Sequence, residues 1–139
     1  IPERGPAGAG DAHGLVHRRP ARAGEDGQFP ETKQGIRASD LDEEQKQLVL
    51  DAMAQWVGVT DDATAAEMMA TYGSEIDDTY IAFSGNNIDF TEQGDYLRID
   101  GPSVWIEFVC QNGVVIRDRI HYHTIWRDHV RDYGGEFSF

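Results

Sequence analysis

The spacing of apolar residues changes once along the chain. Between residues 38 and 73 the apolar residues recur at steps of three and four, whereas after Asp78 they alternate with polar residues at every second position. The first period is typical of an amphipathic helix and the second of a strand with one buried face. The pattern therefore predicts helices followed by strands, which is an α+β fold.

The first helix is predicted within the segment ASDLDEEQKQLVLDAMAQWVG. Asp42 is a good N-cap, Gln45 stands three residues later as a capping box requires, and Gly58 stands where a glycine would end the helix. One face of this helix is apolar, formed by Val49, Ala52, Met53 and Trp56.

A second helix is predicted in TDDATAAEMMATYG, with Thr60 or Asp61 as its cap and Gly73 at its end. Its apolar stripe consists of Ala65, Met68, Met69 and Tyr72. Such a stripe indicates a face packed in a core. The two helices are expected to form a hairpin.

Four strands are predicted from the β-branched and aromatic segments TYIAFSG, DYLRIDG, SVWIEFVCQ and VVIRDRIHYHTIW. Short breaks between them favour antiparallel pairing. If Asn112 and Gly113 form a two-residue hairpin turn, His121 faces Val104 and Glu107 points away from the histidines, although one bulge would reverse this. The expected fold is a helical hairpin packed on an antiparallel sheet of about four strands.

The first thirty-five residues have a different composition from the rest. They are rich in Gly, Ala, Pro and Arg and show no apolar period, so they are predicted to be an extended arm or linker. Residues 36–139 are expected to form one α+β domain. Because the sequence begins with Ile1 rather than methionine, we expect that a leader or a larger amino-terminal portion precedes it.

Charge and cysteine content narrow the classes of partner and site. The net charge is -13, and residues 1–35 contain five basic and five acidic side chains, so the remaining residues carry all of it. Such a surface repels phosphate backbones and anionic lipids, and we expect neither nucleic acid nor membrane as a partner. The single cysteine, Cys110, excludes an intramolecular disulfide and a thiolate metal cluster. We expect it to pack as a small apolar residue.

The segment HYHTIWRD contains the candidate site. His121 and His123 are two residues apart, so on a strand their side chains leave the same face and can converge on one metal ion. Copper or zinc suits imidazole ligands without thiolate. Glu107, inside the apolar run WIEFV, is the predicted third ligand. Its structural alternative is an ion pair with a nearby arginine, namely Arg98, Arg117 or Arg119.

The residues that follow allow two interpretations. Arg127 and Asp128 could bond each other or neighbouring backbone, while Trp126 closes the core. In the functional interpretation Arg127 binds an anionic ligand and Asp128 orients a histidine. His129 is expected at the surface.

Several motifs resemble a known family. GIRASDL, DGPSVWIEF and HYHTIWRD are similar to the carboxy-terminal half of the domain-of-unknown-function family 3500, over residues 35–135. Its members typically read His-x-His-Ser/Thr-Val-Trp-Arg-Asp where this chain has residues 121–128, with Ile125 in place of the usual valine. The resemblance implies a bacterial, extracellular or periplasmic protein and no established activity. It also implies a His-His pair in an amino-terminal half that is absent here.

Three functions are consistent with these observations. The first is a metal-binding protein or metalloenzyme with His121 and His123 as ligands. The second is a non-catalytic binding or structural module that packs on a partner chain or on a missing amino-terminal half, with assembly into oligomers. The third is an acid/base enzyme for a small anionic substrate with Arg127 as its anchor.

Overall fold

The computed structural model describes residues 29, 32–85, 88–113, 115–116 and 119–132. Most of the predicted arm, residues 1–28, lies outside these ranges. Within the described part, no helix combines the length and the apolar character needed to cross a membrane.

Both predicted helices are present. Helix α1 spans Glu43–Val57, and Asp42 and Gln45 form the predicted capping box at its start. Helix α2 spans Asp62–Ser74 with Asp61 as its N-cap. Gly73 does not end α2, contrary to the prediction, because the helix closes one residue beyond it and passes through Glu75 into a 3₁₀ turn over Ile76–Asp78.

Five strands form one antiparallel sheet in the order of the chain: β1 (Ile36–Arg37), β2 (Tyr80–Ser84), β3 (Tyr96–Asp100), β4 (Val104–Asn112) and β5 (Ile120–Asp128). The sequence predicted about four. The additional strand, β1, has two residues and pairs with β2. A strand that short has no detectable period, so the pattern of apolar residues could not reveal it.

The prediction of a two-residue turn between the last two strands is wrong. His121 lies opposite Gln111 instead of Val104, and Glu107 lies opposite Ile125. The strands are joined by a longer loop that begins at Gly113, whose amide donates to the carbonyl of Arg119 at 3.0 Å. A Cβ at Gly113 would lie 2.2 Å from the carbonyl oxygen of Ile116, so the close approach requires glycine here.

The helical hairpin packs on one face of the sheet. The buried core consists of Met53 and Val57 from α1, Met68 and Tyr72 from α2, and Ile99, Val104 and Ile106 from the sheet. The two predicted apolar stripes face this core, with the remaining stripe residues and Trp126 packed against it. Each large side chain buried in this way contributes about 1.5–3 kcal/mol. The α+β prediction is confirmed.

The other face of the sheet is also covered, by residues that precede β1. The ring of Phe29 packs edge-on against Trp105 with centroids 4.9 Å apart, and Lys33 donates to the Asp100 carboxylate at 2.8 Å. Trp105 and Asp100 are both buried. The described end of the predicted arm therefore belongs to the folded domain.

Candidate functional site

The two histidines of HYHTIWRD lie side by side on β5. The ring centroids of His121 and His123 are 4.6 Å apart and the ring planes meet at 57°. His121 is half-buried and His123 is exposed. Because alternate residues of a strand project from one face, the two-residue spacing places both rings on the same side, as predicted.

These rings lie at an edge of the sheet. β5 pairs with β4 along one side, and within the described residues no strand pairs with its other side. The histidines stand opposite Val109 and Gln111 of β4. Within the described residues, the outer edge of β5 beside these rings is therefore unpaired.

Glu107 lies on the same face as the two histidines, because residues directly opposite each other in an antiparallel pair project to the same side. The predicted register had placed it on the other face. Its carboxylate is nevertheless engaged elsewhere, since the Tyr96 hydroxyl donates to it. Within the described residues, no three His, Cys, Asp or Glu side chains form a metal-binding group. The structure brings together two of the three predicted ligands.

Burial controls the protonation of Glu107. The residue is 5 % exposed, and this desolvation raises the pKa of its carboxyl group. Hydrogen bonds from Tyr96 and Trp105 and the charge of Arg98 offset only part of the rise. Arg98 lies directly opposite Glu107 on β3, so the structural alternative foreseen for this carboxylate has one of its named partners beside it.

Arg98 is itself buried beneath the segment before β1. Its guanidinium carbon lies 5.0 Å from the centre of the Trp105 ring, a cation–π contact, and one of its terminal nitrogens donates to Gln34 at 3.5 Å. Together, Tyr96, Arg98, Trp105 and Glu107 form a buried polar network on the face away from the helices. We call these four residues the Glu107 network.

Asp128 fixes the corner where β5 ends. One carboxylate oxygen accepts from the amides of Val130 and Arg131 at 2.9 and 2.7 Å, and the other accepts from Tyr72 and from the Arg131 side chain, both at 2.9 Å. These partners lie on the helix side of the sheet. Asp128 therefore does not orient His121 or His123, which project from the opposite face.

Arg127 and Trp126 also have protein partners. Nε of Arg127 donates to Asp132, so the described ion pairs do not join Arg127 to Asp128. The Trp126 indole donates to the Tyr72 hydroxyl at 3.3 Å and packs against the core. Of the two interpretations of this segment, backbone capping and core closure describe what these side chains do here.

A cavity of about 300 Å³ lies between α2 and the end of β5. It is lined by Thr64, Glu67, Met68, Trp126, Asp128, Arg131 and Asp132. Arg127, the predicted anchor for an anion, is not in this lining. Three carboxylates face the cavity against one guanidinium, and that guanidinium is already paired with Asp128. This charge balance disfavours an anionic ligand.

His129 was expected at the surface, and that expectation is wrong. Its ring is half-buried, 4.2 Å from the Phe29 ring centroid and 6.0 Å from that of Trp105. Burial lowers the pKa of this imidazole. Tyr96 and Arg98 of the Glu107 network were also not foreseen as a group, although their alternate positions in the run YLRID place them on one face of β3.

The comparison with protein families gives one match. A family model described as "Protein of unknown function (DUF3500)" matches residues 9–135, which confirms the family but not the assignment to its carboxy-terminal half. The match begins well before residue 35, so it includes most of the predicted arm. No curated protein and no solved structure matches the chain.

Proposed function

The chain belongs to the DUF3500 family of proteins of unknown function, and from its geometry we propose that it binds a transition-metal ion, copper or zinc, through His121 and His123. The observation that carries this proposal is the adjacency of the two rings, whose centroids lie 4.6 Å apart on a solvent-accessible edge strand. The family description assigns no activity, so the proposal is limited to metal binding.

Several features support coordination by this pair. A zinc ion takes imidazole nitrogens at about 2.0–2.1 Å, so one nitrogen of each ring must lie within roughly 4 Å of the other, and a centroid separation of 4.6 Å is compatible with that distance. Within the described residues, each of the two rings contacts the other. The net charge of -13 also raises the local concentration of cations.

The proposal does not assign Glu107 as a ligand. To reach a metal it would have to leave the Tyr96 hydroxyl and carry a charge that its burial disfavours. We therefore assign it to the Glu107 network and assign no other described residue of the same chain to the metal.

Metal titration of the untagged protein tests the proposal. We expect zinc or copper(II) to bind the wild-type chain, and His121→Ala and His123→Ala each to weaken binding by roughly ten-fold or more, since even groups one shell further out contribute about that much. Gln111→Ala is the matched control, because Gln111 lies opposite His121 and leaves both imidazoles in place. Affinity unchanged in both histidine variants, or no binding by the wild type, would refute the proposal.

A further inference from the structure

We infer that a second copy of this chain completes the metal site by adding its own β5 to the outer edge of β5, so that four imidazoles surround one ion. This inference rests on the proposed function and identifies the partner at that same site.

One chain supplies too few ligands to fill the coordination shell of a zinc ion. His121 and His123 supply two nitrogens, and within the described residues no third His, Cys, Asp or Glu joins them. Structural zinc sites are almost always four-coordinate with protein ligands. A single edge strand therefore provides half of such a shell.

The outer edge of β5 is suited to pairing with another strand. β5 has nine residues, and three consecutive side chains within it, Tyr122, His123 and Thr124, are exposed. An edge strand of this length presents a row of unpaired backbone amides and carbonyls to any strand that can align with it. The other edge of the sheet is formed by β1, which has only two residues. Among the described strands, the histidine-bearing edge is thus the longer one and the better suited to accept a strand.

Two-fold symmetry would bring the histidines of two copies together. An antiparallel pair of β5 strands with a two-fold axis at Tyr122 places His121 of each copy directly opposite His123 of the other, on the same face. Side chains opposite each other in such a pair start about 4.5–5.5 Å apart at Cβ. The four rings then form a compact group that can close on one ion, while the two Tyr122 side chains meet on the other face.

The net charge of the chain also affects whether two copies can pair. Each copy carries a net charge of -13, so two copies repel each other in the absence of a cation. A bound metal ion supplies both bonds and positive charge at the contact. Pairing is therefore expected to depend on the metal.

Sedimentation velocity with zinc or with EDTA, combined with a calorimetric zinc titration, tests the inference. We expect a monomer in EDTA, a dimer that holds half an equivalent of zinc per chain, and no dimer from His121→Ala or His123→Ala. Tyr122→Asp places two carboxylates opposite each other at the axis and should weaken zinc-induced dimerisation by up to about five-fold relative to its neutral control, Tyr122→Asn.

The possible results distinguish a failure of the second-copy site from a failure of metal binding. One zinc ion per monomeric chain would overturn the second-copy site and leave metal binding intact, whereas no zinc uptake would overturn the proposed function itself. A dimer that persists in EDTA, or one equally stable in both Tyr122 variants, would show that the copies join elsewhere and would also overturn the inference.

Discussion

The hydroxyl of Tyr72 donates a hydrogen bond of 2.9 Å to the carboxylate of Asp128 and so joins α2 to the end of β5. Asp128 is only 3 % exposed. Its other bonds run to the two amides that follow and to Arg131. One carboxylate therefore holds together a helix, a strand end and the turn after it.

Replacement of Asp128 by alanine should destabilise the fold. The change leaves the buried Tyr72 hydroxyl and two amides without their acceptor, and each buried group that loses its partner costs about 1–3 kcal/mol. We expect the free energy of unfolding in urea to fall by at least about 3 kcal/mol. Asp51→Ala, on the exposed side of α1, is the control and should leave the urea midpoint nearly unchanged. Equal midpoints for the two variants would contradict the role given to Asp128.

Glu107→Gln should become relatively more stable as the pH rises. Burial raises the pKa of Glu107 above its ordinary value of 4.5. Between 4.5 and the folded-state pKa, the native chain keeps a proton that the unfolded chain loses, so the wild type loses stability as the pH increases through this window. Glutamine has no proton to lose. Urea unfolding of both proteins from pH 4.5 to neutrality should show a difference that grows with pH, and a constant difference would refute this.

His129 produces the opposite pH dependence. Burial lowers its pKa below the ordinary value of 6.5. As the pH falls below 6.5, the unfolded chain gains a proton that the native chain does not, so stability decreases until the folded-state pKa is reached. The charged groups that also act on the ring are Asp100, Lys33, Asp128 and Asp132. His129→Gln should remove this acid-side loss from a plot of Tm against pH, and an unaltered slope would show that His129 is not its source.

Two lysines form ion pairs that should differ in strength. Lys33 contacts the buried Asp100, whereas Lys46 contacts Glu43 and Asp77, both of which are exposed. Removal of Lys33 leaves a buried carboxylate with one partner fewer, so Lys33→Met should cost about 1–3 kcal/mol. Lys46→Met should cost no more than about 1 kcal/mol because water solvates its partners. Urea unfolding of both variants measures the two losses of stability. A larger loss in Lys46→Met than in Lys33→Met would contradict the strengths assigned to the two ion pairs.

The helices could be predicted because their signals are local. Asp42 and Gln45 bond each other across a single turn, so four residues of sequence contain the complete start signal. The register of β5 could not be predicted in this way. The apolar run after Gly113 has the composition of a strand, and the bond from Gly113 to Arg119 that makes it a loop is not visible in residue types.

Local sequence likewise predicted one part of the candidate site and not the other. That His121 and His123 share a face follows from strand geometry alone, and the structure places their rings together. The environment of Glu107 depends on β3, which brings Tyr96 and Arg98 to it through pairing between strands. A single segment contains no information about that pairing, so its sequence placed Glu107 in an apolar run without indicating which groups surround it.

The covering of the sheet by Phe29, Lys33 and Gln34 has a practical consequence for work with shortened proteins. A recombinant piece that starts at Ile36 would expose the indole of Trp105 and leave Arg98 without Gln34. Such a piece should bind hydrophobic dyes and aggregate during purification, although it contains every helix and strand that the structure describes. Expression plasmids for this domain should therefore place the start codon upstream of Phe29.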